Sequence, residues 1–309
     1  MDNNKPLYHR LFLYQKERFP IIAHGCLITA FTFSAIAYSR ICRGVEGFIS
    51  IQDFLIGIWM SFAFFLLIRI CDEFKDQEDD LKYRAYLPVP RGLVSLNELK
   101  YLGIGIVSIQ LTLLFFFQVK MFPLYLLSMV YLFFMTKEFF IENWLRERQL
   151  IYILSHMMII PLIDLYSSGL DWSLAGDKIH LGVAWFMLVS FLNGLVLEIG
   201  RKIRSKESEE DGVISYTNLY GTKNAIFIWI GLLTSTLLAA LGAAQYAGYG
   251  FQAFVFLISL WILCTLPALF FLKNPTTKYA GQIEKASGLW TVFMYLSLGA
   301  IPMIKTLIV

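Results

Sequence analysis

Nine apolar runs dominate this chain, and they leave it few folds to choose from. They lie at about 19–39, 53–71, 101–119, 121–136, 150–169, 180–199, 225–247, 250–272 and 287–308. A helix needs roughly 17–25 apolar residues to cross a bilayer, and only the fourth run, opening at Phe122-Pro123, is short by that measure. Within hydrocarbon each backbone N–H and C=O must be paired inside its own segment, so the runs read as helices. Only 16% of residues are charged, against about 25% in soluble domains. The expectation is an all-α integral membrane protein, a single domain over residues 1–309, with nine transmembrane helices surrounding a central cavity. Residues 1–18 are polar and mildly basic, and the first run is too long for a signal h-region, so no cleavable leader is expected.

The polar connections set the orientation. With the N-terminus in the cytoplasm, 21 of the 26 Lys and Arg residues fall inside and 5 outside. That split fits the positive-inside rule, with the C-terminus outside. In a bacterium the location would be the inner, or plasma, membrane. It also puts two long charged loops, 72–100 and 200–224, on one side, as caps over one cavity. No sequence repeat relates the halves.

The first loop opens with Asp72, Asp76 and Asp80, spaced i, i+4, i+8. On a continuous helix these three carboxylates would form one stripe within about 80°. Like charges packed side by side at a membrane exit call for a cation between them. A hard divalent ion such as Mg²⁺, shared with a phosphate, is the natural candidate. Downstream, Pro88-Val-Pro90-Arg91-Gly92 stiffens the return of the chain. Arg84 and Arg91 are placed to clamp phosphate oxygens opposite the metal. In the second loop Glu198, Lys202 and Lys206 repeat the spacing with mixed charge, and Arg201 and Arg204 add to the basic cluster. This set suits direct phosphate binding, with Glu198 touching one metal ion.

These features resemble the UbiA superfamily of intramembrane prenyltransferases. The resemblance rests on nine spans, the aspartate stripe after the second, the Pro-x-Pro-Arg-Gly return, and a charged motif after the sixth followed by Gly-Val-x-Ser-Tyr…Tyr-Gly. It covers nearly the whole chain. Asp72 stands where the family's first motif has Asn, while Asp76 and Asp80 match its aspartates. The second family motif is normally a DxxxD stripe; here Glu198 and Lys202 hold its two positions. A variant donor, or one metal with a lysine in place of the other, would fit that departure. The resemblance implies transfer of a prenyl group from a polyprenyl diphosphate to a hydrophobic or aromatic acceptor: an aromatic ring, a quinone precursor or a lipid. Mg²⁺ at Asp72, Asp76, Asp80 and Glu198 would assist loss of the diphosphate. Arg84, Arg91, Arg201, Lys202 and Lys206 would hold phosphate. A terpene cyclase of this type, or an enzyme moving a sugar phosphate onto a polyprenyl phosphate, would share the same pattern.

Smaller signals add candidates. Lys137 follows the fourth span on the loop side and is a phosphate-contact candidate. His156 and Asp164 lie within the fifth span, and ionisable groups there default to functional hypotheses. They are candidates to orient or deprotonate an acceptor. Asn193 precedes Glu198 on the sixth span and is expected to face the same cavity. Cys26, Cys42, Cys71 and Cys264 form no CxxC pair, which argues against a disulfide framework. No zinc-ligand spacing, G-x-S-x-G or P-loop pattern occurs. The Asp-Gly-x-x-Ala-Arg element of CDP-alcohol phosphatidyltransferases is absent. The partners expected are the donor, the acceptor and membrane lipid, and no nucleic acid. A cation transporter is the rival from another class, but the acids stand at loop entrances rather than mid-membrane.

Overall fold

The computed structural model of the chain describes residues 5–308; residues 1–4 and 309, the ends of the expected domain, lie outside the described residues. In order, the helices are α1 (Leu7–Arg18), α2 (Ile21–Arg43), α3 (Ile51–Lys75), α4 (Gln77–Tyr83), α5 (Leu96–Phe117), α6 (Phe122–Thr136), α7 (Glu142–Arg146), α8 (Gln149–Met157), α9 (Ile159–Ala175), α10 (Val183–Arg201), α11 (Tyr216–Tyr220), α12 (Thr222–Tyr246), α13 (Gly250–Lys273), α14 (Thr277–Tyr295) and α15 (Ile301–Ile308). A π turn, Leu296–Ala300, joins the last two. Among the described residues nine spans are long and apolar enough to cross a membrane, α8 with α9 and α14 with α15 each making one. The fold is the expected all-helical membrane architecture.

Several boundaries differ from hydropathy, and two have a local cause. The third span starts at Leu96 because Ser95 and Glu98 form a reciprocal capping box, an arrangement worth about 1 kcal/mol. The ninth starts at Thr277, not near 287. Its first turns carry Glu284 and Lys285 on the exposed face while Ile283 and Ala286 are buried. An amphipathic turn of this kind looks like a polar connection to a hydropathy average.

Burial sorts the helices. In the spans of α2, α10 and α14–α15, 50–56% of the apolar window is buried, against 22% for α5. The former make the centre, and α5 faces lipid. α10 packs on α9, α12 and α14, and α2 packs on α9 and the π turn. Gly299 in that turn lies so close to α2 that a Cβ would stand 2.4 Å from Ser34 Cα. Some polar groups inside the spans are paired across helices. Tyr38 donates to the Ala243 carbonyl at 2.9 Å, and Trp229 Nε1 to Ser287 Oγ at 3.0 Å. At one end of the bundle Asp171 accepts from Ser39 (2.8 Å) and Arg40 (3.0 Å) and pairs with Arg43. The two long charged loops meet at the other end, as the charge pattern required.

Candidate active site

The loop end of the bundle encloses a cavity of about 380 Å³ between the ends of α3, α8 and α10 and the segment 212–214. Seven cationic side chains line it (Arg18, Arg69, Lys75, Arg84, Arg146, Arg201, Lys202) and five carboxylates (Asp72, Asp76, Asp79, Glu138, Glu198). The cationic excess suits a polyanion. The inner end is apolar, with Ile68, Met135, Met157 and Ile159.

One wall comes from α3. The helix stops at Lys75, and Asp76 (φ −90°, ψ 8°) both ends it and begins α4. Asp72 and Asp76 stay on the cavity side of this bend. Asp72 has only distant cationic neighbours, Arg69 at 3.7 Å and Lys75 at 3.9 Å. Among the described residues no side chain hydrogen-bonds or ion-pairs with the Asp76 carboxylate. Burial raises its pKa above the ordinary value; the Lys75 charge opposes this, and the charges of Asp72 and Asp80 add to it. Asp80 is turned off the cavity. It is 2% exposed, pairs with Arg84, and lies 3.8 Å from Arg18. Its other surroundings are a separate cleft of about 530 Å³ between α1, α4 and the start of α5. The expected three-carboxylate stripe is therefore two carboxylates on the wall, with a third holding two lining arginines from behind. Glu73 assists from the same side, accepting from Arg18 at 2.7 Å and Arg69 at 3.1 Å.

The opposite wall comes from α10. That helix ends at Arg201, and Lys202 (φ −103°, ψ 13°) caps it. The helical spacing does not reach Lys206, which is exposed and off the cavity. Glu198 accepts from Arg201 Nη2 at 2.5 Å and pairs with Lys202 Nζ at 2.7 Å. One carboxylate is thus shared by two cations, leaving this wall net positive.

A third wall was not legible. Glu138, Phe139 and Phe140 all have positive φ (47°, 53° and 60°). Left-handed backbone costs roughly 1–2 kcal/mol for each non-glycine residue. The turn swings Glu138 inward. Its Oε1 lies 3.4 Å from Lys75 Nζ and accepts from the Tyr152 hydroxyl at 3.3 Å; its Oε2 lies 3.1 Å from His156 Nε2. Burial works to raise the Glu138 pKa, but the His156 contact and the Lys75 charge outweigh it and hold it below the ordinary range. Lys75 also donates to the Tyr152 hydroxyl at 2.8 Å. Arg69 and Lys75 were findable, since each sits one turn from Asp72 on the same helix. Nothing in the sequence marked Glu138.

Other expected site residues fall elsewhere. Lys137 is exposed and caps α6, off the cavity. Arg91 grips Glu17 with both terminal nitrogens involved (2.9 and 2.7 Å) and the Tyr86 carbonyl at 2.8 Å, tying the first loop to α1. Asp164 and Asn193 are fully buried between helices and do not line the cavity. Asp164 accepts from Ser190 at 2.9 Å, and Asn193 Nδ2 lies 3.9 Å from Met294 Sδ. Only His156 of the mid-span candidates reaches the cavity wall. Over the mouth the two loops clasp. Tyr86 donates to Glu210 at 2.9 Å, and Gly212 (φ 72°) lies against the Tyr83 ring.

The donor set tests the Mg²⁺ expectation. Among the described residues no three His, Cys, Asp or Glu side chains converge to hold a metal by themselves. Mg²⁺ is commonly bound by one or two carboxylates plus substrate phosphates and water. Asp72 and Asp76, one turn apart and with Asp76 lacking a close cation, fit one such ion. A second ion at α10 does not fit, because Arg201 and Lys202 already occupy Glu198.

Comparison with known proteins agrees with this fold. A family model described as the UbiA prenyltransferase family matches residues 26–296. A structure from work on digeranylgeranylglyceryl phosphate synthase in membranes is 20% identical, covering 95% of this chain and 99% of that one, with a TM-score of 0.60. The apo structure of a UbiA homolog from Aeropyrum pernix K1 is 15% identical, covering 91% and 98%, with a TM-score of 0.62. At these identities the two structures are alike in fold. No curated protein matches.

Proposed function

The chain belongs to the UbiA prenyltransferase family, and from that premise we propose that its cavity takes a polyprenyl diphosphate and transfers the prenyl group to an acceptor. The observation carrying this reading is the placement of the Asp72–Asp76 pair opposite Arg201 and Lys202 across one cavity. A diphosphate is a polyanion, and its departure as a leaving group demands charge neutralisation. One divalent ion at Asp72 and Asp76 would supply Lewis-acid charge to the departing oxygen. The side chains do the rest. Lys202, Arg201 and Arg84 bind phosphate oxygens by charge-assisted hydrogen bonds. Asp80 and Glu73 hold Arg84, Arg18 and Arg69 in position from behind. The apolar inner end, around Met135 and Met157, receives the first isoprene units and excludes water. The tail continues between helices into lipid. The cavity faces the cytoplasm in this reading, since the basic loops lie there.

The test is turnover by the full-length protein in lipid nanodiscs. Geranylgeranyl diphosphate and farnesyl diphosphate are each added with Mg²⁺, and released diphosphate is measured with and without a chelator. Release that needs the divalent ion supports the reading. No binding of either donor, with or without Mg²⁺, overturns it.

A further inference from the structure

One set of polar atoms in the cavity is unused by the donor. His156 is 6% exposed, and its Nδ1 lies 2.8 Å from the Tyr152 carbonyl oxygen. A carbonyl only accepts, so Nδ1 carries the proton, and in the neutral ring Nε2 is left as a bare acceptor. Nε2 is 3.1 Å from Glu138 Oε2, yet the two are not aligned to bond, and both are buried without a hydrogen-bond partner. Two such atoms side by side on a cavity wall call for a polar hydrogen from outside the chain. The surroundings fix their direction. The Tyr152 ring stacks on His156 with centroids 4.1 Å apart, and Phe139 stands edge-on at 6.0 Å. Lys75 touches Tyr152 on this side and lies 3.9 Å from Asp72 on the donor side. The unpartnered pair therefore adjoins the place where a diphosphate would leave. Glu138 is brought there by three consecutive left-handed residues, a conformation that persists only where surrounding contacts impose it.

We infer that His156 Nε2 and Glu138 Oε2 form the acceptor site, and that the acceptor presents a hydroxyl group to them. The inference rests on the proposed donor reading. The acceptor oxygen forms a bond to the first carbon of the prenyl chain. The carbon–oxygen bond to diphosphate breaks, its electron pair leaving with diphosphate. The hydroxyl proton passes to His156 Nε2, and Glu138 stabilises the imidazolium so formed. An acceptor without a hydroxyl, such as a methyl ether, would bring no polar hydrogen to the pair. His156 and Glu138 touch substrate, whereas Lys75 and Tyr152 position Glu138.

The test uses full-length protein in nanodiscs with Mg²⁺ and labelled geranylgeranyl diphosphate. Phenol and 1-octanol serve as hydroxyl probes, with anisole and octyl methyl ether as matched controls. The expected result is an ether product from the hydroxyl probes alone. His156→Gln should lower that transfer about 100-fold, the usual scale for a lost general base, while donor affinity, read by equilibrium binding, stays at the wild-type value. His156→Ala should regain transfer on addition of imidazole, an effect that a packing role would not give. Glu138→Gln should lower transfer without loss of donor affinity. Carbon-linked product, wild-type transfer by His156→Gln, or donor-dependent diphosphate release that neither hydroxyl probe accelerates would each overturn the acceptor assignment. Failure of the wild type to bind the donor would remove the donor reading itself, and this one with it.

Discussion

Lys75 Nζ and the Tyr152 hydroxyl meet at 2.8 Å, 77 residues apart in the chain. The contact joins α3 to α8, and Lys75 also faces Glu138 and Asp72. It therefore links the donor wall to the third wall. Lys75→Met should leave two carboxylates, Asp72 and Glu138, without the cation between them. Truncating one partner of a buried ion pair costs up to about 3–5 kcal/mol, and the half-open cavity places this case at or below the low end. A lower unfolding temperature and loss of diphosphate release are expected together. Wild-type thermal unfolding and wild-type turnover would contradict the linking role.

Asp76→Asn should separate stability from activity. The folded state raises the pKa of Asp76, so ionised Asp76 destabilises the fold, and this penalty grows as pH rises through the folded-state pKa. Removing the charge should raise the unfolding temperature at neutral pH in the absence of metal. It should also raise the Mg²⁺ concentration needed for half-maximal diphosphate release by about tenfold or more, the scale of one lost charge-assisted contact. A variant less stable than wild type, with unchanged Mg²⁺ dependence, would show that Asp76 is a structural residue.

The sequence displays the spans because the hydrocarbon phase imposes one rule on every residue inside it. It displays Asp72, Asp76, Glu198 and Lys202 because helical spacing holds up to each helix end. Spacing misleads beyond those ends. Asp80 lies past a bend at Asp76 that no Gly or Pro announces, and Lys206 lies past the cap at Lys202. Arg91 looked like a phosphate ligand because its partner, Glu17, is 74 residues away. Arg18 was hidden for the same reason, its tie to Glu73 spanning 55 residues. Glu138 depends on a left-handed turn built from non-glycine residues, which propensity argues against.

Lys202→Ala tests the second wall. Glu198 keeps Arg201 at 2.5 Å, so the carboxylate remains paired and stability should change little. A hydrogen bond to a charged group is worth about 1.5–3 kcal/mol, so donor binding should weaken about 10- to 100-fold. Equilibrium binding of geranylgeranyl diphosphate reads the effect directly. A stability loss with unchanged affinity would make Lys202 an anchor only.

Glu138 gives a pH prediction of opposite sign to Asp76. Its folded-state pKa lies below the ordinary 4.5. The stabilisation is complete above the unfolded value and is lost as pH falls through the folded one. Unfolding temperature should therefore drop more steeply below pH 4.5 in the wild type than in Glu138→Gln. Parallel curves for the two proteins would remove the Lys75 and His156 contacts as its cause.

The clasp over the cavity can be tested at Gly212. Its φ of 72° disfavours any side chain, and a Cβ there would lie 2.4 Å from the Tyr83 ring. Gly212→Ala thus meets two obstacles: left-handed strain of roughly 1–2 kcal/mol and a ring that must move. Moving that ring disturbs the stretch that also carries Tyr86, whose hydroxyl bonds Glu210. The loops should part, the cavity should admit water, and bound donor should dissociate faster in a chase experiment. Tyr83→Ala in the same chain removes the clash but not the strain. Partial recovery of the dissociation rate in the double variant is therefore expected. Full recovery would mean that the backbone at 212 is unstrained, and no effect in the single variant would mean that the two loops do not hold the donor in.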